Sequence, residues 1–238
     1  MRKRLPRRKR ALSATSPKTG ITHVFSDAAA TERMIRDFQS AKATREANDL
    51  LAGITFQKWL GTQTLPSAPT INQTAPLYRL VYNGFSPTSI AGSLADGGRF
   101  NVGGAQLHPL FSGVQKFGAL YLASSIACCY AEAAPPYGNP AEYELTPTRP
   151  LAIWDLTAVI AALPFPQLDD QVKAAPTDAL WSFQKSPLVS QLLAARLKAI
   201  GGDGVVFPST KMPSESNFAI FSRDDTESAG KFSVRRTK

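Results

Sequence analysis

Between Asn83 and Gly118 the chain carries eight glycines and two prolines. Neither helical nor alternating spacing fits such a stretch, so it predicts a long loop-rich region. Loops of that length inside a compact domain are generally functional or mobile. The stretch lies between two short apolar runs that read as strands, Leu77–Tyr82 (LYRLVY) and Ala119–Ala123 (ALYLA). Downstream, Ser124 or Ser125 caps a predicted helix that runs to about Ala133 and stops at Pro135-Pro136. Ala141–Leu145 and Leu151–Trp154 read as strands, and Asp155 as the cap of a short helix ending at Leu163. Residues 164–186 show no regular pattern. Pro187–Ile200 is a predicted helix, with Pro at its start, Lys198 in its last turn and Gly201-Gly202 as its stop. Val205–Phe207 and Phe218–Phe221 close the series as strands. The mixture of short strands and helices is α+β, with no internal repeat.

Upstream the pattern differs. Met34, Ile35, Phe38, Leu50, Leu51, Ile54, Trp59 and Leu60 recur at helical spacing over Asp27–Gly61, with Gly53 and Thr55 weakening the end. Residues 61–76 have linker composition. The division expected from sequence is a basic flexible arm (1–22), a helical extension and linker (23–76), an α+β domain (77–230) and a basic tail (231–238). A length of 238 residues suits one domain plus an extension, or two small domains. Composition of 43% hydrophobic and 19% charged residues excludes wholesale disorder.

The net charge of +9 is a property of one end. Residues 1–10 (MRKRLPRRKR) hold seven basic residues and no acid, leaving 9 − 7 = +2 for the rest. From Leu80 to Gly230 acids outnumber bases, so a nucleic-acid footprint over the whole surface is not supported. The arm alone could bind RNA or DNA phosphates, dock an acidic partner or raise solubility. The only cysteines, Cys128 and Cys129, are adjacent, which excludes a disulfide scaffold and points to a reducing, cytoplasmic setting. They read as small helix-packing residues. Two histidines, His23 and His108, are too few for a His-rich metal centre. No apolar run reaches membrane-spanning length, and the basic start lacks the apolar segment of a secretory signal.

Gly97-Gly98-Arg99-Phe100-Asn101-Val102-Gly103-Gly104 lacks both the Lys-Ser/Thr of a P-loop and the spacing of a dinucleotide-binding turn. Glu142 and Glu144 share a strand face, where a solvated surface is the commoner reading than a catalytic pair. A more informative set is Tyr78-Arg79, Gly98-Arg99-Phe100-Asn101, Tyr121-Leu122-Ala123, Glu132, Phe207-Pro208-Ser209 and Asn217. Each falls at a strand edge, in a loop or on the short helix after a strand. Guanidinium forks suit phosphate oxygens. Glycines admit a pyrophosphate to the backbone. Aromatic rings stack on flat bases, and a carboxylate stabilises positive charge developing on a ribose. Each residue also has a plainer reading: Arg79 paired with a neighbouring carboxylate, Tyr121 in the core, Glu132 at an exposed helix edge, Ser209 in a turn.

The ordered series YR, GGRFN, YLAS, YAE, DGVVFPS, NFAIF resembles the RES-domain toxins of bacterial toxin–antitoxin pairs, over about residues 77–222. That resemblance implies an α+β fold with a split β-sheet like that of the ADP-ribosyltransferases, surrounded by helices and here preceded by a helical N-terminal extension. It also implies NAD⁺ as substrate, no metal, and an Xre-type antitoxin as partner. The reaction implied is hydrolysis or phosphorolysis of the nicotinamide–ribose bond, or transfer of ADP-ribose to a protein. The family's arginine falls on Arg99, its tyrosine on Tyr121, its helical glutamate on Glu132 and its serine on Ser209. Arg79, Gly98, Asn101 and Asn217 fall on positions that hold NAD⁺. In this reading Glu132 stabilises an oxocarbenium-like ribose, Arg99 holds the pyrophosphate with Arg79 beside it, Tyr121 packs on nicotinamide, and Ser209 orients Glu132 or the ribose. Ser214 is a competing serine that fits the spacing to Asn217 less well. The stretch between Asn101 and Tyr121 is longer than in compact members and reads as a lid or a change in substrate access. Two other classes remain open from sequence: a nucleic-acid-binding module led by the arm, and a non-catalytic interaction protein.

Overall fold

The computed structural model describes residues 44–82, 84–105, 109–133, 139–163 and 187–238. The basic arm, both histidines and the start of the Asp27–Gly61 segment therefore lie outside the described residues. Helix α1 spans Thr44–Thr62. Strands β1 (Ile71–Gln73) and β2 (Leu77–Val81) follow, then the short helix α2 (Ala91–Asp96) and a single 3₁₀ turn at Pro109–Phe111. Next come β3 (Gly118–Ala123), α3 (Ile126–Glu132), β4 (Ala141–Pro147), β5 (Leu151–Asp155) and α4 (Leu156–Ala162). The chain continues through α5 (Pro187–Ala199), β6 (Gly204–Pro208), β7 (Ser216–Ser222), α6 (Asp225–Gly230) and β8 (Phe232–Arg236).

The caps read from sequence form as expected. Ser125 accepts from the Cys128 amide at the start of α3, and Asp155 accepts from the Thr157 and Ala158 amides at the start of α4. Gly201 and Gly202, both at positive φ, end the turn after α5.

The strands form one sheet in the order β1-β5-β6-β7-β3-β2-β4-β8. Among the described strands only β5 and β6 run parallel, and the chain between them crosses over by way of α4 and α5. The contact between β3 and β2 is a single register pair, Tyr78 opposite Ala123. That seam divides the sheet into β1-β5-β6-β7-β3 and β2-β4-β8, which is the split α+β architecture expected.

Two readings change. Residues 61–76 are not linker throughout: Ile71–Gln73 pair with β5 at the sheet edge. The residues after Lys231 are not a tail: Phe232–Arg236 pair with β4 as the opposite edge. Polar composition hid both, because an edge strand buries few side chains. Glu142 and Glu144, on β4, face this strand. Arg235 meets Glu144 at 2.7 Å and Lys238 meets Glu142 at 3.7 Å.

Helix α1 is built into the core. Ile54, Phe56, Trp59 and Leu60 are buried in one cluster with Val189, Leu193 and Leu197 of α5 and Phe100, Phe117, Trp154 and Phe221. At Gly53 α1 packs closely on its neighbours: a Cβ there would stand 2.8 Å from Leu110 Cδ1 and 3.4 Å from Leu188 Cβ. The residue that weakens the helix by propensity is therefore the one that lets it dock.

The described part of the glycine-rich region, residues 84–105 and 109–118, is more regular than its composition suggests. Phe100, Asn101 and Val102 are fully buried. Ser93 Oγ, on α2, donates to the Ala119 carbonyl at 2.8 Å and accepts from the Ala119 amide at 3.0 Å, tying α2 to β3. The amides of Gly104 and Ala105 donate back to the carbonyls of Leu94 and Ala95.

Candidate active site

Three neighbouring strands and two connecting segments bring the site together. Tyr121 lies on β3, Asn217 on β7 opposite Ala123, and Phe207 on β6 opposite Asn217. Glu132 is the last residue of α3, and Gly98-Arg99 sit in the turn closed by the Gly98–Asn101 bridge. Gly98, Arg99, Tyr121, Leu122, Glu132, Phe207 and Asn217 line one cavity of about 310 Å³.

A carboxylate at a helix C-terminus faces the negative end of the helix dipole, so local preference does not place Glu132 there. Its neighbours do. Ser209 Oγ donates to Glu132 Oε1 at 2.5 Å, and Asn217 Nδ2 donates to the same oxygen at 2.9 Å. Burial alone would raise this carboxyl. The hydrogen bonds from Ser209 and Asn217, the Arg99 charge and the Lys211 amide outweigh it and set Glu132 below the ordinary carboxylate value. At neutral pH the group is an anion held in one orientation.

Ser209 is itself fixed. It is buried, and its hydroxyl accepts from the Lys211 amide at 3.2 Å and the Met212 amide at 3.0 Å. Ser214 is exposed and takes no part. Asn217 is oriented from behind: the Cys128 thiol donates to its Oδ1 at 3.7 Å. Burial pushes the Cys128 thiol up, against the Ser209 hydrogen bond, so it remains a donor.

Arg99 lies over two rings, 5.6 Å from the centre of Phe207 and 5.9 Å from that of Phe100. Among the described residues its guanidinium makes no hydrogen bond or close ion pair, so its donor fork is unspent. Burial lowers its pKa, and nearby Tyr121 and Glu132 oppose that shift. It remains cationic, since even a lowered guanidinium titrates far above neutrality.

Tyr121 contributes its ring to the cavity, but its hydroxyl is occupied. It accepts from the Phe100 amide at 2.9 Å and donates to Asn101 Oδ1 at 3.1 Å. Burial pushes the phenol far above its ordinary value, so it stays neutral. Asn101 does not face the cavity. Its amide donates to the carbonyls of Ser93 at 2.7 Å and Phe117 at 3.0 Å, which locks the turn that presents Arg99. Gly98 is needed for that packing, because a Cβ there would stand 2.6 Å from the Tyr121 hydroxyl.

Arg79 stands apart. Its guanidinium donates to the carbonyls of Pro87 at 2.8 Å and Ser89 at 3.0 Å, and it does not line the cavity. Burial lowers it to about 10, with Asp225 and Cys129 opposing. Sequence reasoning missed Gln191, whose amide donates to the Gly98 carbonyl at 2.6 Å from the buried side of α5. It also missed Cys128 as a support. The signals were present: Gln191 is a lone amide in an apolar helical run, and Cys128 precedes Glu132 by one helical turn. Among the described residues no group of three or more His, Cys, Asp or Glu could hold a metal. Among them, too, no helix is long and apolar enough to cross a membrane.

The fold and this cluster define an α+β protein with, on one cavity, an anionic carboxylate and a guanidinium that has no ion-pair partner among the described residues. A family model described as the RES domain matches residues 76–235, and the chain belongs to that family. Among solved structures it is similar to a chain in the crystal structure of the M. tuberculosis MbcT–MbcA toxin–antitoxin complex. The identity is 17% and the TM-score 0.46, over 77% of this chain and 92% of that one. A comparison with curated proteins finds no match.

Proposed function

We propose that this protein is an NAD⁺-consuming toxin that breaks the bond between nicotinamide and ribose C1′. The observation that carries the reading is the Glu132 carboxylate, held by Ser209 and Asn217 and opening on the same cavity as the unpaired Arg99. Family membership agrees with it.

The chemistry fits these groups. Nicotinamide leaves NAD⁺ with the bonding electron pair and departs neutral, so a strong general acid is not needed. What needs stabilising is the positive charge that spreads over C1′ and the ring oxygen. Glu132, set below the ordinary carboxylate range, is a weak base and a persistent anion. It therefore acts by charge and by hydrogen bonding to ribose or to the attacking water or phosphate, not by storing a proton. Arg99 meets the pyrophosphate with a bidentate fork, and the Tyr121 ring borders the nicotinamide. Water as acceptor gives ADP-ribose and a released proton; inorganic phosphate gives the 1-phosphate of ADP-ribose. The partner that restrains the enzyme is an Xre-type antitoxin, as the family resemblance implies.

The test is nicotinamide release from NAD⁺ by the purified protein, with and without phosphate and without any protein acceptor. Release in buffer marks a hydrolase, and release only with phosphate marks a phosphorylase. Absence of release in both arms sinks the reading, and labelling of an added protein would move it to ADP-ribosyl transfer.

A further inference from the structure

The molecule holds a second and larger cavity, of about 570 Å³, between α1, α5 and the segment ahead of β3. It shares no lining residue with the Arg99–Glu132 cavity. Phe117 on its wall precedes Tyr121 by four residues, roughly 13 Å of extended chain. Leu60, Phe117, Leu192 and Ala195 supply an apolar interior, and Arg196 and Lys198 supply charge. The α1 part of the wall lies outside residues 76–235, so the cavity combines RES-domain elements with residues beyond them.

The charge is one-sided. Among the described residues no acidic side chain lines the cavity. Lys198 reaches over the Phe117 ring, with Nζ 5.3 Å from its centre. Among the described residues neither Lys198 nor Arg196 makes an ion pair. A wholly apolar ligand would cover Lys198 without giving it a counter-charge, and a cationic one would be repelled. A flat or flexible apolar body with an anionic head satisfies both parts, and the volume is ordinary for a small-molecule site.

We propose that this cavity binds a small amphipathic anion, its apolar body on Leu60, Phe117, Leu192 and Ala195 and its carboxylate, sulfonate or phosphate head at the cationic rim that Arg196 and Lys198 supply. The probe is 8-anilinonaphthalene-1-sulfonate, titrated by fluorescence into the full chain, with uncharged N-phenyl-1-naphthylamine as its counterpart. One saturable sulfonate site is expected. The double variant Arg196→Gln/Lys198→Gln weakens the sulfonate at least tenfold and changes the neutral probe less than twofold. Ala195→Phe, which fills the cavity and keeps both charges, weakens both probes. Arg99→Gln leaves sulfonate binding unchanged. Unaltered sulfonate affinity in the double variant or in Ala195→Phe overturns the proposal, as does loss of binding in Arg99→Gln. The readout is binding, so it is independent of whether NAD⁺ is cleaved.

Discussion

Ser209 Oγ donates to Glu132 Oε1 at 2.5 Å across 77 residues of chain, while two backbone amides donate to that same Oγ. The hydroxyl has one proton, and the carboxylate takes it. In the proposed reaction Ser209 therefore positions Glu132 and is not the nucleophile. Removing it takes away a bond that holds Glu132 below the ordinary carboxylate value, so the Glu132 pKa rises in Ser209→Ala. On the proposed reading, the parental protein loses its NAD⁺-cleaving rate at a lower pH than an unperturbed carboxylate would set, because its neighbours hold Glu132 below the ordinary value. In Ser209→Ala the acid limb of kcat moves upward. A pH–rate profile checks this, and an unmoved limb would show that Ser209 does not tune the carboxylate.

Glu132→Gln keeps the shape of the side chain and discards its charge. Loss of one such electrostatic contact with a developing cation costs about 2.7–4 kcal/mol of barrier, or 10²–10³ in rate. Asn217 and Ser209 remain able to bond a neutral amide, so the melting temperature stays near the parental one. Turnover at the parental rate in a folded Glu132→Gln protein removes Glu132 from the mechanism.

The two arginines separate cleanly. Arg99 has no hydrogen-bond partner among the described residues, so Arg99→Gln raises KM for NAD⁺ and lowers Tm only slightly, through the lost contacts with the Phe100 and Phe207 rings. Arg79 spends its donors on the carbonyls of Pro87 and Ser89. Arg79→Gln strands those acceptors at a cost of about 1–3 kcal/mol, which lowers Tm while KM holds in the folded fraction. Paired melting curves and Michaelis plots decide it; a raised KM in Arg79→Gln at unchanged Tm would place Arg79 on the substrate instead.

Sequence patterning revealed the elements that bury a strong apolar face. α5, β3 and β7 carry runs of Leu, Phe and Ile, and their caps and stops are local chemistry. It missed β1 and β8, because an edge strand is held by backbone pairing more than by side-chain burial. At the site, the residue types were legible and their division of labour was not. Arg79 and Arg99 look alike in sequence, and only the tertiary path of residues 84–101 decides which guanidinium is spent. Asn101 shows the same limit: it lies two residues from Arg99, yet it faces the core and holds the turn.

Acid should loosen the fold at α6. Glu227 Oε2 accepts from the amide and Nε of Arg223 at 3.0 and 2.8 Å, and its Oε1 accepts from Lys231 Nζ at 2.9 Å. Lys231 is buried and also donates to the Phe221 carbonyl on β7, so the cluster clamps α6 to the sheet. Burial alone would raise Glu227, but the bonds from Arg223 and Lys231 prevail and lower it to about 2. A depressed folded-state pKa contributes stability that is complete above the unfolded value, about 4.3, and is lost as pH falls towards the folded one. The stability gap between the parent and Glu227→Gln is therefore widest at neutral pH and narrows as pH falls from about 4.3 to about 2. Urea midpoints at neutral pH and in that acid window measure it. A gap of equal size at both ends would mean that Glu227 contributes packing and not charge.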